Sequence, residues 1–292
     1  MSTNDARVAG HGPQGDVAQD VLGIEAADGH RFELLARVPA QPRRALLWLP
    51  ALGVAARHYL PLADAFAAAG TAVFLHEWRG NGSSSLRAGR GVDWGYRALL
   101  LDDIPASEAA VAAALPGLPR VLGGHSLGGQ LACCRLALFP GGAESAWLVG
   151  SGSAYWRAFP WPHRPVLPLA YRFITWLAAR EGVLPGRRIG FGGNEAAGLI
   201  RDWARTATSG RYAAAGIDAD IEQGLARVHV RVRAVALARD WMAPPSSLRF
   251  LLSKMPAAET DMAVLDAASL GVPADHFTWM KSPAAVAAWL SR

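Results

Sequence analysis

Lysine is almost missing from this sequence, since Lys254 and Lys281 are the only two, and arginine therefore carries the formal net charge of +5. The densest arginine cluster, Arg227, Arg231 and Arg233, falls in a segment that alternates like a strand. Nucleic-acid-binding proteins instead gather their basic residues into a stripe or a recognisable motif. The sequence therefore predicts no nucleic-acid partner.

Cysteine and long apolar runs are also scarce. Cys133 and Cys134 are adjacent in an apolar helical stretch, where a disulfide would be strained, so we expect two buried thiols. No apolar run reaches the about 18 residues that a membrane-spanning helix needs. The polar, glycine-rich residues 1–16 do not have the pattern of a secretory signal, and we interpret them as a flexible tail. These features favour a cytoplasmic protein without stable membrane insertion.

Strand and helix patterns alternate along most of the chain. An antiparallel hairpin is predicted at Asp28-Gly29. Buried strands are predicted within 44–50, 71–78, 119–125, 145–150, 226–240 and 260–268, and helices within 59–69, 96–115, 130–139, 246–255 and 283–291. Short connections between alternating strands and helices favour an α/β fold, with helices on both faces of a parallel sheet.

The alternation breaks between residues 154 and 227. This segment is rich in tryptophan, proline and arginine, and it contains helical pieces but no further buried strand pattern. We interpret 154–227 as an inserted, mainly helical cap over one edge of the sheet. The core would then comprise 17–153 and 228–292.

The segment Gly124-His125-Ser126-Leu127-Gly128-Gly129 lies between a predicted strand and a predicted helix. A serine on such a sharp turn needs glycine two residues before and after it, because side chains there would collide with neighbouring elements. The turn lifts the Ser126 hydroxyl clear of the sheet and points the Leu127 amide at a reacting carbonyl. Gly-x-Ser-x-Gly also arises by chance, but this context makes Ser126 the predicted nucleophile.

A serine nucleophile requires a base, and in this arrangement a histidine late in the chain supplies it. His276 lies after the last predicted strand and before the last helix, whereas the other histidines precede the serine or lie in strands or the cap. The orienting acid should end a strand between these two residues, and Asp240 does so. Asp275 is too close to His276 in sequence to be the usual partner.

A second oxyanion donor is expected from the loop after the strand at 44–50. The Leu52 amide is the first candidate and the Ala51 amide the second.

The chain resembles the α/β-hydrolase superfamily from about residue 18 to 292. The resemblance is most specific at Arg79-Gly80-Asn81-Gly82 and at the serine turn. It is similar to bacterial serine hydrolases of the serine aminopeptidase, lysophospholipase and monoacylglycerol lipase group. The resemblance implies an eight-stranded, mostly parallel sheet, an acyl-enzyme cycle, and neither metal nor other cofactor. One departure is Pro50-Ala51, where the family frequently has His-Gly.

The predicted activity is hydrolysis of an ester-like bond in a small-molecule acyl substrate, as in a carboxylesterase or lipase. Trp156, Trp161, Trp176 and Trp203 are expected to line an apolar acyl pocket beneath the cap, with packing inside the cap as the alternative. An amidase or peptidase, a thioesterase, an acyltransferase or a cofactor-free perhydrolase could use the same residues. A ligand-binding module of the same fold without turnover is the rival outside enzymes. A haloalkane dehalogenase is disfavoured, because that chemistry uses a carboxylate where Ser126 stands.

Overall fold

The computed structural model describes residues 17–292, so the predicted tail at 1–16 lies outside the described residues. The strands within this range are β1 (Val17–Glu25), β2 (Arg31–Pro39), β3 (Arg44–Leu49), β4 (Thr71–Leu75), β5 (Arg120–His125), β6 (Ser145–Val149), β7 (Val183–Pro185), β8 (Asn194–Ala196), β9 (Arg231–Leu237) and β10 (Thr260–Leu265). Eight of them form one sheet in the order β1-β2-β4-β3-β5-β6-β9-β10. β1 pairs antiparallel with β2 and β2 with β4, whereas all the other neighbours are parallel. This sheet is the eight-stranded, mostly parallel one that the resemblance implies.

The helices are α1 (Leu60–Ala68), α2 (Tyr96–Ala98), α3 (Ile104–Ala114), α4 (Leu127–Leu138), α5 (Leu167–Glu181), α6 (Gly186–Ile189), α7 (Ala197–Ser209), α8 (Ile221–Ala226), α9 (Pro245–Leu252), α10 (Ala267–Leu270) and α11 (Ala284–Leu290). Short 3₁₀ helices occur at Ala56–Tyr59, Trp156–Ala158 and Thr278–Lys281. A π-helical segment, Leu99–Asp103, joins α2 to α3 without a break, so the helix predicted at 96–115 is present and contains one π-helical turn.

Both faces of the sheet are buried, which explains the continuous apolar runs of its central strands. Successive side chains of a strand point to opposite faces. Leu47 and Leu122 accordingly belong to one hydrophobic core with Leu131 of α4. The adjacent strand residues Leu46, Trp48 and Val121 point to the other face. They pack in a second core with Phe66 of α1 and Trp289 of α11. Parallel strands covered on both faces require this apolar composition throughout.

The chain between β6 and β9 differs from the prediction in one respect. It contains a small antiparallel sheet of β7 and β8, where the sequence pattern indicated no further buried strand. Each of these strands has only three residues, which is too short for a period to be recognised. Leu184 and Ala196 are nevertheless fully buried, so this pair is part of the packed structure.

The parallel strands place their carboxyl ends along one edge of the sheet. The loop after β3, the turn after β5 and the loops after β9 and β10 all begin at this edge. In open α/β sheets, ligands bind at the carboxyl ends of the strands. Within residues 17–292, no helix has both the length and the apolar character required to cross a bilayer.

Candidate active site

Ser126 occupies a strained turn between β5 and α4. Its backbone has φ of +54° and ψ of −121°, and it is the sole non-glycine residue with positive φ among residues 17–292. A Cβ atom on Gly128 would lie 2.0 Å from the Leu49 carbonyl oxygen, and one on Gly124 would lie 2.5 Å from the Gly128 carbonyl carbon. Both glycines are therefore required by direct contact with backbone, as the motif analysis predicted.

The side chains of Ser126, His276 and Asp240 meet at the carboxyl edge of the sheet. The Ser126 Oγ lies 3.0 Å from His276 Nε2, and His276 Nδ1 lies 2.7 Å from Asp240 Oδ2. A carboxylate only accepts hydrogen bonds, so Nδ1 donates to Asp240 and Nε2 is left to accept from the serine hydroxyl. This tautomer is the one that a general base requires.

Asp240 lies in the loop after β9, where hydrogen bonds hold its side chain. Its side chain is completely buried, and its Oδ1 atom accepts hydrogen bonds of 2.9 Å from the amides of both Met242 and Ala243. These bonds fix the carboxylate plane and leave Oδ2 for the histidine.

The loop that carries His276 is fixed by its neighbours. Trp279, fully buried, donates its indole N–H to the His276 carbonyl oxygen at 3.0 Å. The Asp275 carboxylate accepts the amides of Phe277 and Thr278 and so stabilises this turn, whereas the imidazole Nδ1 contacts Asp240. The backbone from His276 to Thr278 is thus hydrogen-bonded.

Tyr59 connects the loop after β3 to the serine turn. Its hydroxyl accepts a hydrogen bond of 2.9 Å from the Ala51 amide and donates one of 2.8 Å to His125 Nδ1. Burial, followed by the proximity of His276, holds the pKa of His125 well below its usual value, so this imidazole is neutral and accepts the bond. Tyr59 thus engages the amide of Ala51, the second-ranked oxyanion donor.

The amides of Leu52 and Leu127, the two predicted oxyanion donors, have no hydrogen-bond partner within residues 17–292. Both residues line the same cavity as Ser126. Both amides are accordingly available as donors to a group bound in this cavity.

Ser126 and His276 open onto a largely apolar cavity of about 530 Å³. One side of the wall comes from the sheet edge and the other from the chain between β6 and β9. The latter supplies the side chains of Phe159, Pro162, His163, Val166, Leu167, Ala170, Tyr171, Ile174, Phe191 and Trp203. A cavity of this size and lining suits a small apolar ligand.

Of the four tryptophans expected at the pocket, only Trp203 lines it. Trp161 and Trp176 are mostly exposed, and Trp156 is half-buried with the Arg157 guanidinium 4.9 Å from its ring centre. Composition alone did not tell which face of each helical piece turns inward.

The aromatic residues Trp241 and Phe277 also line the cavity, and sequence reasoning missed them. Each directly follows a predicted site residue, Asp240 or His276. That adjacency was the signal that could have identified them.

A second Ser-His-Asp arrangement lies outside this cavity. His30 contacts Ser84 Oγ at 2.9 Å and Asp103 Oδ1 at 3.0 Å, but all three residues are buried. Asp103 also accepts two bonds of 2.7 Å from Arg79. Burial alone would raise the pKa of Asp103, but these hydrogen bonds outweigh it and hold the pKa below its usual value.

The Ser84 hydroxyl is engaged by the amides of Gly80 and Leu86. This network holds the turn that begins at Arg79. The Arg-Gly-Asn-Gly sequence therefore has a structural role, and the buried Ser84 is not proposed as a nucleophile.

Two buried glutamates flank the loop after β3. Glu195 accepts the Gly193 amide at 2.7 Å, and Glu77 accepts the Ala56 amide at 3.2 Å. Burial raises the pKa of each carboxyl group to about 7, only partly opposed by these hydrogen bonds. The loop that carries Leu52 is therefore packed against groups whose charge changes near neutral pH.

Metal-binding clusters of three or more His, Cys, Asp or Glu side chains are not found in the part of the chain that the structure describes. Cys133 and Cys134 are free and buried, as predicted, and burial raises the pKa of the Cys133 thiol to about 12.

The fold and the serine turn define a hydrolase of the α/β-hydrolase superfamily. Residues 40–268 match the family described as "Serine aminopeptidase, S33", which is more than half of the chain, and the chain belongs to that family. A search of curated protein sequences found no match.

Solved structures with the same fold cover nearly the whole chain. The structure of DcsB in complex with its substrate analogue is 14% identical, with a TM-score of 0.65, over 93% of this chain and 96% of the other. An esterase domain from a Rhodothermus marinus protein is 16% identical, with a TM-score of 0.61, over 94% and 98% of the two chains. A thioesterase domain from the curacin biosynthetic pathway is 17% identical, with a TM-score of 0.60, over 94% and 100%. At these identities the likeness establishes the fold alone.

Proposed function

We propose that this protein is a serine hydrolase that cleaves an ester bond of a small acyl substrate, with Ser126 as nucleophile, His276 as base and Asp240 as orienting acid. The observation that carries the proposal is the pair of contacts, 3.0 Å from the serine hydroxyl to the imidazole and 2.7 Å from the imidazole to the carboxylate, at the wall of an apolar cavity.

In the first half of the reaction, Ser126 Oγ attacks the carbonyl carbon of the ester and His276 Nε2 takes the hydroxyl proton. The oxyanion of the tetrahedral intermediate accepts hydrogen bonds from the amides of Leu127 and Leu52. The intermediate then collapses, the bond to the alcohol oxygen breaks, and His276 returns the proton to that oxygen. An acyl-serine ester remains.

In the second half, water attacks the acyl-serine carbonyl while His276 accepts its proton. The bond to Ser126 Oγ breaks, the serine regains a proton from His276, and the carboxylic acid leaves. Asp240 stabilises the imidazolium that forms in each half.

The cavity wall favours an ester over a peptide with a free amino terminus. Its lining includes the uncharged or neutral-capable polar side chains of Ser126, Gln130, His163, Tyr171 and His276 and the indoles of Trp203 and Trp241, but no Asp or Glu of residues 17–292. A protonated amino group brought into this cavity would lose its hydration without meeting a carboxylate, which is costly. An apolar acyl chain, in contrast, gains from burial there.

We also propose that residues 154–227 act as a cap whose inner side forms the acyl-binding wall. Phe159, Leu167, Tyr171 and Trp203 of this segment line the cavity. A thioesterase with the same residues is the second candidate, because an apolar acyl chain in a thioester would use the same wall, and one structural relative is a thioesterase domain.

Labelling with a fluorophosphonate tests the nucleophile. We expect one adduct on Ser126 in the natural protein and none in Ser126→Ala. Ser84→Ala is the matched control, since Ser84 also contacts a histidine but lies outside the cavity, and this variant should still be labelled. A folded natural protein without an adduct would favour a ligand-binding module without turnover.

A substrate panel tests the bond and the acyl group. It comprises p-nitrophenyl esters of graded chain length, aminoacyl anilides and acyl thioesters, each measured with the natural protein and with Ser126→Ala. Ester cleavage that depends on Ser126 and exceeds anilide cleavage supports the proposal. Faster cleavage of anilides would instead indicate an amidase or peptidase, and transfer to an added alcohol in preference to water would indicate an acyltransferase.

A further inference from the structure

Helix α5 carries a second apolar face that no part of residues 17–292 covers. Leu167, Tyr171 and Ile174 point inward and line the cavity. Val166, at the N-cap, and Leu169, Phe173 and Trp176 follow a spacing of three and four residues, which places them on one side of a helix. All four are exposed, Leu169 by 69% of its surface. We name these four residues the outer face of α5.

The outer face of α5 continues to the opening of the cavity. Val166 belongs to the outer face and also lines the cavity, so the two meet at this residue. Trp241 and Phe277 line the cavity as well and are exposed, Trp241 by 61%. Exposed apolar side chains thus extend from the helix to the cavity opening, as in surfaces that mark interaction sites.

The positive charge of the chain is concentrated in the same region. Residues 154–192 contain six arginines (Arg157, Arg164, Arg172, Arg180, Arg187 and Arg188) and one acidic residue, Glu181. Their balance is +5, which equals the formal net charge of the whole chain, so the remaining residues sum to zero.

Within residues 17–292, only Arg180 of these six arginines has a carboxylate at ion-pair distance, Glu181 at 3.5 Å. Arg172 and Arg180 are exposed residues of α5 itself. Arg172 is therefore unpaired within the described residues, and Arg180, although it pairs with Glu181, keeps an exposed side chain that can meet an anionic surface.

We propose that the outer face of α5 docks on the surface of an anionic phospholipid bilayer, with the cavity opening turned toward the lipid. Tryptophan, phenylalanine and leucine beside arginines are typical of helices that lie in the interface plane of a membrane. A second copy of the chain would bring two positive surfaces together, which disfavours that occupant. Docking of this kind is peripheral and does not require Ser126 to be reactive.

Sedimentation with vesicles tests the docking. The protein is Ser126→Ala, so that no lipid is hydrolysed, and the vesicles are phosphatidylcholine with or without phosphatidylglycerol. We expect pelleting with the anionic vesicles, weaker pelleting at high salt, and little with phosphatidylcholine alone. Neutralising Arg172 and Arg180 together (Arg172→Gln with Arg180→Gln) should lower the partition coefficient roughly 30-fold, from about fivefold for each arginine near the surface.

Two further variants make the test specific. Leu169→Ser with Phe173→Ser should also release the protein from anionic vesicles, because these side chains are exposed and enter the interface. Arg120→Gln with Arg227→Gln removes the same charge from the first residue of β5 and from the C-cap of α8, and this pair should leave binding unchanged. The natural protein and all variants should keep the same far-ultraviolet circular dichroism.

The proposal is overturned if anionic vesicles do not bind the protein, or if the control pair loses binding as strongly as the α5 pair. It is also overturned if ultracentrifugation shows a dimer that Phe173→Ser dissociates, since a second copy would then cover the face. Hydrolysis of a soluble p-nitrophenyl ester is measured separately. A failure of the proposed reaction would leave vesicle binding intact, and a failure of docking would leave soluble-ester hydrolysis intact.

Discussion

Tyr59→Phe removes one hydroxyl group and with it two hydrogen bonds at the base of the candidate active site. The hydroxyl is fully buried, accepts from the Ala51 amide at 2.9 Å and donates to His125 Nδ1 at 2.8 Å. Burial raises the pKa of Tyr59 well above its usual value, so the group is a neutral phenol that donates and accepts at the same time.

The expected loss of stability follows from the two groups left without partners. A buried polar group that loses its hydrogen bond costs about 1–3 kcal/mol, so two such groups lower the free energy of unfolding by about 2–6 kcal/mol. Tyr96→Phe is the matched control, because the Tyr96 hydroxyl is equally buried but has no hydrogen-bond partner within residues 17–292. Its removal should change the free energy of unfolding by less than about 1 kcal/mol.

The same substitution should slow the proposed reaction. Without the Tyr59 hydroxyl the Ala51 amide has no hydrogen-bond acceptor, and the neighbouring Leu52 amide loses its fixed position as oxyanion donor. Complete loss of one such donor costs about 10²–10³ in kcat, and we expect a fall of roughly tenfold to a hundredfold in kcat with KM nearly unchanged. Tyr96→Phe should leave both constants unchanged.

Urea unfolding followed by tryptophan fluorescence, together with steady-state hydrolysis of a p-nitrophenyl ester, measures both effects. The reasoning is refuted if Tyr59→Phe and Tyr96→Phe unfold at the same urea concentration. A rise in KM at constant kcat would equally contradict a role in holding the oxyanion donor, because it would indicate altered substrate binding.

Three further outcomes are expected. Asp240→Asn should lower kcat about 10⁴-fold with little change in KM, because the amide favours the wrong histidine tautomer; steady-state kinetics check this, and an unchanged kcat would contradict it. Gly128→Ala should abolish activity, because its Cβ would lie 2.0 Å from a backbone oxygen, whereas Gly23→Ala, with nothing within 4 Å, should be neutral in the same assay.

The third outcome concerns pH and stability. The pKa of Glu195 is about 7 in the folded protein against 4.5 when unperturbed, so the folded state binds the proton more tightly. Protonated Glu195 therefore adds to the free energy of unfolding. The full contribution is present below pH about 4.5, and it is lost as the pH rises through about 7, at up to about 1.4 kcal/mol per pH unit. Glu195→Gln should flatten that slope in urea titrations between these two pH values, and an unchanged slope would refute the assignment.

Local rules in the sequence were sufficient for the sheet and for the position of the candidate site. Continuous apolar runs identified the buried strands, because parallel strands are covered on both faces. The glycines around Ser126 revealed the turn, because its backbone contacts exclude any side chain there. Chain order then identified Asp240 at the end of a predicted strand and His276 in the loop before the last helix, and the structure brings these three side chains into hydrogen-bond contact.

What surrounds the site was decided only by the tertiary structure. Trp203 faces the cavity while Trp161 and Trp176 face outward, although all lie in one segment of similar composition. Tyr59 engages the Ala51 amide and leaves the Leu52 amide available, and the Tyr59 hydroxyl is itself held by His125, 66 residues away in the sequence. Backbone turns follow from nearby residues, whereas the facing of a side chain depends on the elements packed against it, and those come from distant parts of the chain.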